Sequence, residues 1–122
     1  MDLLLDTHAF LWWDDGKLPR AVVRRIQRAD DVYVSAVSAW EISIKAALGK
    51  IIARAALEEA IADYGFLPLP IGIEHGDAVR LLPLHHRDPF DRMLVVQARS
   101  EGLTIVSRDD ALAAYGVPVI WE

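Results

Sequence analysis

Four short stretches each set a carboxylate at or near the point where an apolar run gives way to a helical pattern. They are "LLLDTHAF" (3–10), "SAVSAWEISIK" (35–45), "LHHRDPFDRMLVVQA" (84–98) and "LTIVSRDDAL" (103–112). Taken singly, each has a structural reading. Asp6 suits an N-cap, accepting from the orphan amides of the next turn. Ser38 and Glu41 fit an S-x-x-E capping box, and Glu41 precedes Lys45 by the four residues of a helix-surface pair. Asp88 suits an N-cap and Pro89 the first helical position, with Asp91 at the third, where the helix dipole favours an acid. Ser107 and Asp110 form a further S-x-x-D box, which leaves Asp109 without a capping role. Taken together, Asp6, Glu41, Asp91 and Asp109 suggest chemistry. Four carboxylates brought close together repel, and part of the set stays protonated unless a cation neutralises it. An all-oxygen set selects Mg²⁺, or Mn²⁺ in its place, over zinc. Ions held this way activate water and stabilise in-line phosphoryl displacement, two of them typically standing about 3.5–4 Å apart.

Convergence depends on the elements that carry these residues. Strand patterns fall at 2–6, 31–36, 103–107 and 117–121, with a weaker one at 66–71 that contains prolines. Helical patterns fall at 19–29, 37–49, 53–64, 73–82, 89–101 and 109–114, and Gly49, Gly65, Gly102 and Gly116 stand where helices should stop. Near-continuous apolar strands alternating with helices describe an α/β domain with a parallel sheet covered on both faces. Such a sheet gathers its strand-to-helix handovers on one edge, and ligands bind there. Helix 37–49 holds Trp40, Ile42 and Ile44 and is expected to be mostly buried, so Glu41 is not simply solvated.

Composition narrows the function classes. The chain has 122 residues, enough for one domain with a sizeable core, and at 53% hydrophobic it is globular rather than disordered. No apolar run is long enough for a membrane span, and no signal-peptide pattern opens the sequence. The absence of cysteine excludes a thiolate zinc site and fits a reducing cytoplasm. A net charge of −5 argues against coating nucleic acid with a broad basic face, though not against an acidic pocket neutralised by cations. The arginines of "PRAVVRRIQR" (19–28) read as a solvated helix face. His85 and His86 are adjacent and lack a cysteine or a third histidine, so metal ligation is the lesser reading and loop or RNA contact the greater. Trp12 and Trp13 read as core and dimer surface ahead of a base-stacking platform. Trp40 reads as core.

These stretches, together with "YGVPVIW" (115–121), resemble the PIN-domain ribonucleases over the full length of the chain, and in particular the VapC toxins of bacterial toxin–antitoxin pairs. The resemblance implies a three-layer α/β/α sandwich around a mostly parallel sheet of about five strands. It implies Asp6 and Asp91 as the firmest metal ligands and Glu41 as a ligand or water-positioning group, with Asp109 as the fourth and most variable member. Thr7, Ser107 and Asp110 match neighbouring polar positions that hold carboxylates or waters. It further implies dimers, silencing by a VapB-type antitoxin, and cleavage of structured RNA such as tRNA or ribosomal RNA.

Joined to the charge pattern, this makes Lys45, Arg87, Arg92 and Arg108 candidates for phosphate contact. Other classes fit less well. A phosphoacceptor signalling domain needs an acidic pair after its first strand and a late lysine, but Asp6 stands alone and no lysine follows Lys50. A D-x-D phosphotransferase is opposed by His8 at the second acidic position. The remaining rival is a PIN-like RNA-binding or protein-interaction module without activity, against which the four retained carboxylates speak.

Overall fold

The computed structural model describes residues 1–52 and 56–122. Its centre is strand β1 (Leu3–Leu5), flanked by β2 (Val32–Ser35) and β4 (Thr104–Val106), with β3 (Leu67–Leu69) and β5 (Val119–Ile120) at the edges. The order is β3-β2-β1-β4-β5 and every pairing is parallel. All three residues of β1 and of β4 are buried, as expected where helices cover both faces. Side chains alternate across a strand, so the sheet separates two cores. Leu3 and Leu5 pack with Phe10, Val22, Ile26 and Ile61 on one side, whereas Leu4 and Ile105 pack with Leu94, Val95 and Leu112 on the other. This is the expected three-layer arrangement. The chain leaves β1 to one side through β2 and β3 and returns to its other side at β4. The crevice at the carboxyl ends of β1 and β4 is therefore the topological switch point.

Most expected elements are present, with informative shifts. Helix α2 (Arg20–Arg28) buries Val22 and Ile26 and leaves Arg20, Arg24, Arg25 and Arg28 exposed, the solvated face expected. Helix α3 (Ala36–Ala47) begins at its N-cap Ser35, whose hydroxyl accepts from the Val37 amide at 3.0 Å. Ser38 is thus inside the helix rather than its cap, and the expected Ser38/Glu41 box does not form. Of the pattern at 53–64, helix α4 spans Leu57–Asp63, and residues 53–55 lie outside the described residues. Helix α5 (Ile73–Val79) stops short of 82, while α6 (Pro89–Glu101) matches its expected span and ends on Gly102 at φ +67°. Residues Asp110–Tyr115 form a 3₁₀ helix.

Two elements depart from expectation. Helix α1 (Thr7–Asp14) was not among the expected helices, because "AFLWW" is apolar all round and hides the 3.6-residue period. Strand β3 forms despite Pro68 because it lies at the sheet edge, where a missing N–H costs least. Among the described residues, no helix is long and apolar enough to cross a membrane.

Candidate active site

Four handovers from the core to the sheet's carboxyl edge supply the carboxylates. Asp6 follows β1 in extended conformation (φ −72°, ψ 170°) and caps α1, accepting from the Ala9 amide at 2.7 Å. The capping role and a place in the cleft coexist, since a carboxylate offers two oxygens. At the next residue, the Thr7 hydroxyl donates to Ser38 Oγ at 3.0 Å and ties α1 to α3. That contact and the burial of Ser38 and Ile42 set the phase of α3, which brings Glu41 inward at 8% exposure and turns Trp40 outward at 60%. Trp40 is therefore not core: it meets Phe90 edge-on at 5.2 Å on the surface. Glu41 pairs with Lys45 Nζ at 2.8 Å.

At the start of α6 the work is divided. Asp88 Oδ1 accepts from the amides of Phe90 (2.8 Å) and Asp91 (3.3 Å), so Asp88 satisfies the helix end. Asp91 is thereby released from capping and faces the cleft. After β4, Ser107 Oγ accepts from the Asp109 amide at 3.0 Å, and Asp109 Oδ1 accepts from Ala111 at 3.1 Å. Asp109 is thus the N-cap of the 3₁₀ helix, correcting the expectation of a Ser107/Asp110 box. Asp110 is exposed and outside the cleft lining.

The resulting cleft, of about 410 Å³, is lined by Asp6, Glu41, Asp91 and Asp109 together with Thr7 and Lys45. Its electrostatics are those of crowded acids. Burial pushes the Asp91 carboxyl up to about 7, with further repulsion from Asp88, Asp6 and Glu41 outweighing the relief from His86. Burial also raises Asp6, eased by hydrogen bonds from Ser107 and the Ala9 amide. The fold therefore brings negative charge together faster than its own cations neutralise it. An oxygen-rich set under such repulsion fits a hard divalent cation.

His86, for which the sequence favours loop or RNA contact over metal ligation, stands against two of the carboxylates. Its Nε2 lies 3.0 Å from Asp109 Oδ2 and 3.5 Å from Asp91 Oδ2, and the three side chains form a group of metal-ligand dimensions. Its Nδ1 accepts from the Asp88 amide at 3.1 Å, so Nε2 carries the proton and donates to Asp109. In this arrangement His86 holds a carboxylate and does not offer a lone pair to a metal. The signal was present in "HHRDPFD", but only folding brings Asp109, 23 residues on, against the ring.

The expected phosphate contacts divide. Lys45 and Arg108 line the cleft. Arg87 is exposed and not part of the lining. Arg92 is not a free cation: its guanidinium donates to the carbonyls of Val79 (3.1 Å), Leu82 (3.3 Å), Pro83 (3.0 Å) and His86 (3.4 Å) and to Tyr115 Oη (3.3 Å). The fork geometry of arginine suits it to fastening the segment between α5 and α6, and it is withdrawn from the phosphate role. Beneath the site, fully buried Gln97 bonds Ser35 (2.5 Å) and the Pro70 carbonyl (3.1 Å), locking α6 to the end of β2.

The PIN-domain family model matches residues 3–118, nearly the whole chain. The chain belongs to the PIN-domain family. PIN domains are in general nucleases, so hydrolysis of nucleic acid is the family's activity class. No significant match emerges among curated proteins. Among solved structures, this PIN domain superposes on a chain of VapBC2 from Rickettsia felis bound to a promoter DNA fragment. That match has TM-score 0.74 and 11% identity, covering 100% of each chain. DNA-bound VapBC from Salmonella typhimurium gives 0.71 and 16%, covering 98% of this chain and 97% of that one. FitAcB from Neisseria gonorrhoeae gives 0.67 and 19%, covering 97% and 96%. At these identities the likeness is one of fold.

Proposed function

We propose that this PIN domain is a Mg²⁺-dependent endoribonuclease of the VapC type, the toxin of a type II toxin–antitoxin pair, cleaving structured RNA such as tRNA or ribosomal RNA. The observation that carries the reading is the meeting of Asp6, Glu41, Asp91 and Asp109 in one cleft, where burial and then the neighbouring acids push the Asp91 carboxyl up to about 7. Asp6 and Asp91 would hold the ion, joined by Glu41 and Asp109, with Mn²⁺ as a substitute. When bound, a divalent ion lowers the pKa of water and stabilises charge developing on the phosphate.

The chain's own groups do the rest. Glu41, held by Lys45, and Asp109, held by His86, would align the attacking water and accept its proton on a carboxylate oxygen. Lys45 and Arg108 meet the phosphate backbone, which sets register without reading sequence. Chains of the same fold occur in VapBC and FitAcB complexes, which supports a VapB-type antitoxin as protein partner; a homodimer and a cytoplasmic site of action belong to the same proposal.

Purified protein should cleave RNA in Mg²⁺ and lose that activity in EDTA. Asp6→Asn and Asp91→Asn should abolish cleavage while keeping the far-UV circular dichroism of the folded protein. Undiminished cleavage by either variant refutes the assignment. A folded wild type that neither cleaves RNA nor gains thermal stability from Mg²⁺ would be the inactive binding module instead.

A further inference from the structure

The carboxylate cleft continues into a second recess of about 490 Å³, and the two share Thr7, His8, Trp12 and Lys45. Trp12 therefore stands where the acidic cleft opens into a tract running on to Lys50 and Ile52. Its indole is half-buried and braced from two sides. Trp121 lies 6.1 Å away at 59°, and the exposed His8 ring meets it edge-on at 5.5 Å and 75°. The exposed Arg108 guanidinium lies over the indole, 5.6 Å from its centre. Arg108 sits between Ser107 and Asp109, so the cation on the ring belongs to the loop that carries one of the carboxylates.

The recess carries Lys45 and Lys50 but also Asp14 and Asp15, so its charge is balanced and offers little net pull on phosphate. What distinguishes it is a rigid aromatic surface with a mobile-length cation above it. A flat π system stacks on indole and on guanidinium alike. In a duplex the base faces are already stacked on one another, whereas an unpaired base presents both.

We propose that Trp12 is a stacking platform for one unpaired base beside the scissile phosphate, with Arg108 engaging that nucleotide from above. The proposal rests on the ribonuclease reading and adds to it a residue that positions the nucleotide beside the cut.

The test is kcat/KM in Mg²⁺ on a single-stranded RNA octamer and on a set of octamers carrying one abasic position each, which keep the phosphates and lack one base. Stacking is worth enough per base that Trp12→Leu should lower kcat/KM about 5- to 100-fold on the intact octamer. One abasic position should produce the same loss in the wild type. Combining that position with Trp12→Leu should add nothing further, because both remove the same contact. Trp12→Phe, which keeps a π face, should recover most of the activity. If Trp12→Leu does not fold, the abasic series on wild type and Trp12→Phe still decides the matter. The proposal is overturned if no abasic position matters, or if Trp12→Leu loses the same factor on every abasic octamer. It is also overturned if Trp12→Leu changes self-association by light scattering but leaves cleavage intact. A wild type that cuts no RNA removes the ribonuclease reading itself, whereas a wild type that cuts while Trp12→Leu cuts equally well removes only the platform.

Discussion

Replacing Asp91 with asparagine should make the metal-free protein more stable, although it should destroy the activity. Burial and the neighbouring acids raise Asp91 from 3.8 to about 7. At 1.36 kcal/mol per unit this is a penalty of about 4 kcal/mol on folding with the carboxylate ionised. The side chain is 23% exposed, so solvent screening reduces this to about 2–4 kcal/mol. The sign follows from proton linkage. A carboxyl raised in the folded state binds its proton more tightly there than in the unfolded chain. Its contribution to stability is therefore fully present at low pH and lost as pH climbs from 3.8 through about 7. Asparagine carries no such dependence. In EDTA, Asp91→Asn should exceed the wild type by about 2–4 kcal/mol at pH 8, and the gap should shrink by about 1–3 kcal/mol at pH 5. Urea unfolding at both pH values measures it, each variant against wild type so that other titrating groups cancel. A gap that is absent at pH 8, or that does not change with pH, refutes the claim that burial, joined by the neighbouring acids, raises the Asp91 carboxyl.

Three further outcomes follow from the same geometry. Mg²⁺ at a hundredfold excess over its dissociation constant should stabilise the wild type by about 2.7 kcal/mol, read as a rise of roughly 10 °C in Tm by scanning calorimetry. The Asp6→Asn/Asp91→Asn double variant should show no such rise. Arg92→Lys should destabilise the fold by about 2–3 kcal/mol in denaturant titration, because an ammonium cannot serve the four carbonyls and the tyrosine hydroxyl that the guanidinium spans. A neutral effect would return Arg92 to the candidates for RNA contact. Trp40→Gln should cost under about 1.5 kcal/mol, against about 3–5 for a truly buried tryptophan, since only the edge contact with Phe90 is lost.

The chain's local patterns determined a good deal. Apolar triplets such as "LLL" and "TIV", separated by helix-period segments, specify parallel strands covered on both faces, and the all-parallel sheet follows from that alternation. Asp6, Asp91 and Asp109 were legible because each follows a strand or opens a helix, and one edge of a parallel sheet collects such positions; Glu41 stands one turn into α3. Asp88 and Pro89 were legible as a helix start for the same local reason: capping acts over three residues.

What the sequence left undecided depends on contacts between distant residues. Whether Trp40 or Glu41 faces inward is a matter of helix phase, set by Thr7 meeting Ser38 across 31 residues. Whether Arg92 is free or fastened depends on where the segment between α5 and α6 lays its carbonyls. His86 joins the acidic group only because β4 delivers Asp109 to its ring, and the Asp88 amide decides which ring nitrogen holds the proton. Sequence thus determined which groups stand at the functional edge, since that is a property of strand order and local capping. Only the tertiary structure decided which of them are spent on holding the fold and which are left facing the cleft, because a side chain's hydrogen bonds are settled by neighbours that packing supplies.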